Sequence, residues 1–235
     1  MFPVINFRCR ALIILTLLSA LLMSCSSRKE LPITQIQRQL KDVETFTIIL
    51  DDMQEEGFFS TRYQHKYKIV TAEETKETEW YDVPKEYYLK NEPFLGMAIL
   101  SKKDGEMDNN VSPPGYSYVG DSRYGKWRDD GSGGSFWEFY GKYRLFSDFM
   151  GGWFRPISRS DYNTYSDYSS RRQPYYGRNN EYGTYGSAAK TYKPDFFERK
   201  MSRQRASSQS FGDRVNSRVG RTKTTFRGRS GGFGK

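Results

Sequence analysis

Apolar and polar positions divide the chain into stretches of different character. Residues 11–23, ALIILTLLSALLM, form an unbroken apolar run of 13 residues, short of the ~20 that a membrane-spanning helix needs. Ile33, Ile36 and Leu40 then recur at helical spacing and predict a short amphipathic helix. Residues 44–53, rich in Thr, Ile and Phe, predict a strand. Residues 58–70 alternate, with Tyr63, His65, Tyr67 and Ile69 on one face and Arg62, Gln64, Lys66 and Lys68 on the other, which predicts a half-buried antiparallel strand. Residues 76–83 predict a weaker third strand that Pro84 ends. The apolar run 93–100 is too short to assign. Residues 102–116 read as a polar loop with a turn at Pro113-Pro114-Gly115.

The pattern changes again at Ser135. Ser135 and Glu138 match a capping box, and Phe136, Phe139, Tyr140, Tyr143, Phe146, Phe149 and Met150 fall on one helical stripe. These predict an aromatic amphipathic helix that stops at Gly151-Gly152. It would pack on the sheet as core; the other reading is a partner or membrane face extended by Trp137, Trp153 and Phe154. Residues 160–192 are built from Tyr, Ser, Gly, Asn and Arg without aliphatic periodicity and predict a mobile segment. Residues 194–206 predict a helix, with Pro194 in its first turn, Asp195 and Glu198 near its positive end and cations after them. The expected fold class is α+β: a small antiparallel sheet with one aromatic helix over 32–158, then a long, low-complexity, largely disordered basic tail over 159–235.

Composition sharpens this division. The mean hydropathy of −0.81 is low for a compact domain, yet aromatic residues make up 16% of the chain, which argues that part of it folds. The net charge of +9 is uneven: residues 26–158 carry −4 and residues 159–235 carry +11. Such asymmetry points to a tail that meets an anionic surface. The cations expected to do so are Arg199, Lys200, Arg203, Arg205, Arg214, Arg218, Arg221, Lys223, Arg227 and Arg229. A solvated tail whose charge only aids solubility is the alternative.

Arg8 and Arg10 precede the apolar run as the positive region of an export signal would. The sequence Leu22-Met23-Ser24-Cys25 that closes it resembles the bacterial lipobox, with Met23 the less usual residue. That resemblance implies a signal over 1–24, cleavage between Ser24 and Cys25, acylation of Cys25 with palmitate-type chains, and a tether over 25–31. It implies a membrane location, at the periplasmic face of the outer membrane if the cell is Gram-negative. Cys9 would leave with the signal, so the mature chain would hold no disulfide. An exported basic tail meets lipid headgroups, lipopolysaccharide or a membrane protein rather than nucleic acid.

Catalytic patterns are weak. His65 is the single histidine and reads as a packed strand residue. Asp51, Asp52, Glu55 and Glu56 are candidates for an acid–base pair, but they read more simply as a solvated strand end. Asp104, Glu106 and Asp108 resemble a calcium loop in which Asn109 and Gly115 replace the needed Gly and Glu. Residues 131–134 read as a flexible entry to the capped helix, with no Walker lysine following. No catalytic residue, metal or cofactor is expected.

The segment Ser135-Phe136-Trp137-Glu138-Phe139-Tyr140-Gly141-Lys142-Tyr143 resembles part of a set of bacterial envelope lipoproteins of unassigned activity. So do Pro114-Gly115-Tyr116, Arg155-Pro156-Ile157 and the terminal Ser230-Gly231-Gly232-Phe233-Gly234-Lys235. The resemblance spans roughly 110–235 and implies no reaction. The expectation is a lipid-anchored, non-enzymatic binding or scaffold component of the cell envelope. The alternatives are an envelope hydrolase or cell-wall-modifying enzyme using the acidic residues, and a self-assembling structural lipoprotein.

Overall fold

The computed structural model describes residues 30–57, 60–148 and 156–220, with side chains as far as Ser208. The chain divides into two units, up to Leu40 and from Lys41 onward. In the first, helix α1 (Pro32–Gln39) forms where the 3–4 spacing predicts it. Pro32 opens it, and Arg38 reaches back to the Glu30 carboxylate.

The second unit is α+β around an antiparallel sheet. Its strands are β1 (Phe46–Glu56), β2 (Arg62–Thr71), β3 (Thr75–Glu77), β4 (Tyr81–Val83), β5 (Ala98–Lys103) and β6 (Glu106–Asp108). The order is β3-β2-β1-β5-β6, with β4 also on β2. β1 lies at the centre because its first half, Phe46 to Leu50, is buried and apolar except for Thr47, whose hydroxyl pairs with that of Tyr118. Its second half turns acidic and emerges. A bulge between Leu50 and Asp52 breaks the register with β2 and turns the buried Asp51 carboxylate toward Lys68 (3.2 Å) and Lys193 (2.8 Å). The single weak strand expected over 76–83 is two short ones, β3 and β4. The apolar run 93–100 resolves into a turn followed by β5.

Three expectations are corrected. The loop 102–116 contains the hairpin β5–β6. Asp104 (φ 46°) and Gly105 (φ 85°) form its two-residue turn, the left-handed geometry that Asp-Gly favours. Second, the aromatic helix over 135–150 is absent at its start. Ser135–Phe139 is strand β8, paired with β7 (Gly125–Asp129) so that Trp127 faces Trp137. Aromatic side chains suit a pleated strand. The residues that mimic a capping box serve the hairpin instead: Ser135 pairs with Asp129, and Glu138 accepts from Arg128 Nε at 2.6 Å. Residues 131–134 are the hairpin turn, held by Asp130, whose Oδ1 accepts from the backbone N–H of Ser132 and Gly134. Only α2 (Lys85–Asn91) and the single turn α3 (Leu145–Asp148) are helical between β4 and residue 148, apart from three short 3-10 turns. Phe149, Met150, Gly151, Gly152, Trp153 and Phe154 lie outside the described residues.

Third, the fold does not end at residue 158, and the segment 160–192 is largely folded. Helix α4 (Arg159–Ser170) is capped by Ser158, whose Oγ accepts from the Asp161 N–H. Tyr165 and Tyr175 share a core cluster with Tyr116, Val119, Trp137 and Ile157. Tyr182 and Ala188, the latter on helix α5 (Ser187–Tyr192), pack with Met97. The reason is chemical: the segment is poor in aliphatics, and its apolar area comes from tyrosine rings. Buried phenols need partners, and they have them. Tyr116 and Tyr175 each donate to a carboxylate oxygen of buried Asp161, and Tyr118 donates to the Phe46 carbonyl at 2.7 Å. Burial, reinforced by the Asp161 charge, raises the Tyr116 and Tyr175 pKa values well above the usual phenol range.

The helix expected over 194–206 is present and longer: α6, Pro194–Gly220. The expected basic tail beyond it, 221–235, lies outside the described residues.

Candidate functional site: the groove between β1 and α6

The acidic end of β1 and the basic start of α6 meet. Phe196 anchors the helix and is buried. One turn on, Arg199 Nη2 lies 2.6 and 2.7 Å from the two Asp52 carboxylate oxygens. Lys200 pairs with Glu92 at 2.5 Å. Another turn on, Arg203 Nε lies 3.0 Å from Glu55. The arginines also reach backbone. Arg203 Nη1 donates to the Glu55 carbonyl at 2.9 Å, and Arg199 Nη2 points at the Met53 carbonyl at 3.5 Å. Arg203 Nη2 further donates to Thr61 Oγ1 at 2.9 Å. The spacing of the backbone contacts matches: Arg199 and Arg203 rise about 6 Å along a helix, and the Met53 and Glu55 carbonyls they reach, two strand residues apart, span about 6.7 Å.

Between strand and helix lies a cleft of about 450 Å³ open to solvent. Met53, Tyr88 and Phe196 give it an apolar floor, and Glu55, Arg199 and Arg203 stand at its wall. Burial raises the Tyr88 phenol pKa above its ordinary range, and the nearby Glu55, Glu92 and Asp52 carboxylates add to the effect.

Behind the floor sits His65, fully buried. Its Nδ1 is 3.0 Å from the Tyr67 hydroxyl, and the Tyr87 and Tyr88 rings lie 5.6 and 5.4 Å away. Its Nε2 has no hydrogen-bond partner. Desolvation pushes its pKa down to about 3, so the ring is neutral at pH 7. A buried neutral imidazole walled by tyrosines is a packed residue, as its place on the strand face suggested.

No protein-family model, curated protein or solved structure matches this chain.

The sequence-derived site therefore divides. Arg199, Lys200 and Arg203, expected to face an anionic surface, lie on this chain's own Asp52, Glu92 and Glu55. Arg205 is exposed. Arg214 and Arg218 lie on α6, in the part whose side chains are not described, and Arg221, Lys223, Arg227, Arg229, Ser24 and Cys25 lie outside the described residues. The acid–base candidates Asp51, Asp52, Glu55 and Glu56 end on Lys68 and Lys193, Arg199, Arg203 and Arg62 respectively. Asp104 takes Arg123 and also closes a hairpin turn. No group of three or more His, Cys, Asp or Glu among the described residues is placed to hold a metal ion. The roles of Met53, Tyr88, Glu92 and Thr61 were missed. Arg199 and Arg203, one helical turn apart, were the one local signal of a charged helix face.

Proposed function

We propose that this chain is a lipid-anchored cell-envelope protein, acylated at Cys25, that acts as a non-enzymatic binding or scaffold component. Its basic C-terminal segment meets an anionic envelope surface or a membrane-protein partner. The observation that carries the second part is the division of labour along α6. The first cations of the helix neutralise carboxylates of the body, and the helix then runs on to Gly220. The body thus fixes the root of a basic arm. Arg205, farther along the helix, is exposed, and Arg214, Arg218 and the cations at 221–229 follow it in the sequence. The lipobox-like sequence supports the anchor. Asp51, Asp52 and Glu55 each lie on a cation, which counts against their use as a free acid–base pair.

Two measurements test the proposal. Intact mass of the protein from its native membrane gives a chain starting at Cys25 with added acyl mass, and Cys25→Ala loses both that mass and membrane association. Co-sedimentation with phosphatidylglycerol vesicles shows binding that 0.5 M NaCl weakens and that the triple variant Arg205→Gln, Arg214→Gln, Arg218→Gln reduces. An unacylated chain, or vesicle binding indifferent to salt, refutes the corresponding half.

A further inference from the structure

The face of β2 beneath helix α2 holds an imidazole with one nitrogen unused. His65 is fully buried; its Nδ1 meets the Tyr67 hydroxyl at 3.0 Å, and its Nε2 has no partner. Phenols surround it from each neighbouring element: Tyr63 and Tyr67 on its own strand, Tyr81 opposite it on β4, and Tyr87 and Tyr88 on α2. On β1 the residue opposite is Met53. Charged groups stand farther out, around Tyr88: Glu55, Glu92, Asp52 and Arg199. None of them contributes to the His65 shift, which desolvation alone causes. An imidazolium in this place would be a buried charge without a counter-ion, with an N–H lacking an acceptor.

What covers His65 is a short segment pinned at its two ends. Before it, Thr78 holds Tyr67: the Thr78 N–H donates to the Tyr67 carbonyl at 2.8 Å, and the Thr78 hydroxyl accepts from the Tyr67 N–H at 3.0 Å. After it, the Thr184 hydroxyl donates to the Glu92 carbonyl, and the Thr184 N–H donates to the Pro93 carbonyl at 3.0 Å. Between these pins, β4 pairs with β2 through three residues, with one side-chain hydrogen bond, Gln64 Nε2 to Asp82 Oδ1 at 2.9 Å. α2 has seven residues and no side-chain cap at its start. Its Tyr88 ring lies 5.1 Å from Tyr63 and 5.4 Å from His65, and the same side chain lines the cleft beside Phe196.

We propose that residues 81–91, β4 and α2, are an acid-released strap: a proton on His65 lifts them from β2 between the Thr78 and Thr184 pins and opens the floor of the cleft toward Met53 and His65. Lifting Tyr87 and Tyr88 hydrates the imidazole and gives its Nε2 a water partner. The open form then binds a proton with the ordinary histidine pKa of 6.5, against about 3 in the closed form. Opening is therefore favoured as pH falls below 6.5, by about thirtyfold between pH 7.5 and pH 5. The pins keep the change local, so the centre of β1 need not unfold. The proposal is independent of the lipid anchor and of the anionic surface.

The test is amide hydrogen exchange of the full chain in detergent micelles at pH 7.5 and pH 5, corrected for intrinsic rates, with and without low urea. Amides of Tyr87 to Asn91 are expected to be at least tenfold less protected than those of Ile48 to Leu50 at both pH values, and insensitive to urea. Their protection should fall about thirtyfold on acidification. In His65→Phe that fall should shrink to less than threefold, which separates the imidazole from the carboxylates of Asp82, Glu86, Glu55 and Glu92. If phenylalanine does not fit the site, the urea series on the unaltered protein carries the test alone. Exchange of α2 in step with Ile48 to Leu50, rising with urea, overturns the proposal, because His65 then takes its proton only on global unfolding. A fall of equal size in His65→Phe, or none in the native sequence, also overturns it.

Discussion

Acidification loads a proton onto His65 in the unfolded chain long before it does so in the folded one. The folded-state pKa is about 3 against 6.5 for the free side chain. Below pH 6.5 the unfolded state binds one more proton than the native state, so stability falls as pH falls, with a slope of about 1.36 kcal/mol per pH unit. Stability from this source is complete above pH 6.5 and exhausted near pH 3, a span of about 5 kcal/mol. Between pH 6.5 and 4 the loss is about 3 kcal/mol, a large part of the 5–15 kcal/mol that holds typical domains together. Carboxylates also titrate on the way down; Arg123 holds Asp121 at about 2, and Lys66 lowers Glu77. The His65 share is isolated by difference, through urea denaturation of the native sequence and of His65→Phe at matched pH. The stability of the native sequence relative to the variant should fall by about 3 kcal/mol from pH 6.5 to 4. Because His65 is the only histidine, its imidazole resonance can be followed unambiguously in the folded protein and should show no midpoint near 6.5. A flat stability difference, or a native-state titration near 6.5, refutes the reasoning.

Other sites give independent checks. Asp161→Ala leaves the buried Tyr116 and Tyr175 hydroxyls without their shared acceptor; each lost partner costs about 1–3 kcal/mol, and a lowered thermal midpoint by calorimetry measures the sum. Gly115→Ala places a Cβ 2.8 Å from the Phe146 carbonyl at φ +89°, so destabilisation above ~1 kcal/mol is expected in chemical denaturation; an unchanged midpoint refutes the strain. The exposed pairs Asp52–Arg199 and Glu55–Arg203 contribute about 0–1 kcal/mol each, so Arg199→Ala with Arg203→Ala should speed amide exchange in α6 while β2 stays protected.

Legibility of the fold followed the source of apolar area. The aliphatic run Ile48-Ile49-Leu50 and the alternation from Arg62 to Ile69 revealed β1 and β2, because period and residue type agreed. At residues 135–143 they conflicted: the aromatics satisfy helical spacing, and the partner strand that decides the matter, with Trp127 opposite Trp137, is invisible to a local reading. The Asp104-Gly105 turn was local but masked by charged flanks. Tyrosine-rich residues 160–182 read as solvated because their core role depends on acceptors such as Asp161. The groove was hardest to foresee. Its halves were recognised separately as an acidic strand end and a basic helix, and their pairing joins residues 147 apart in the chain.

That separation has a consequence for biogenesis. A ribosome finishes β1 and β2, and the pair can form, well before α6 exists. Throughout that interval the second half of β1 lacks the helix that lies against it. Chains cut short before residue 194 should hold a sheet with an uncapped rim, the kind of species that sticks to its neighbours. The late arrival of α6 makes residues 194–220 the segment whose absence would leave that rim open.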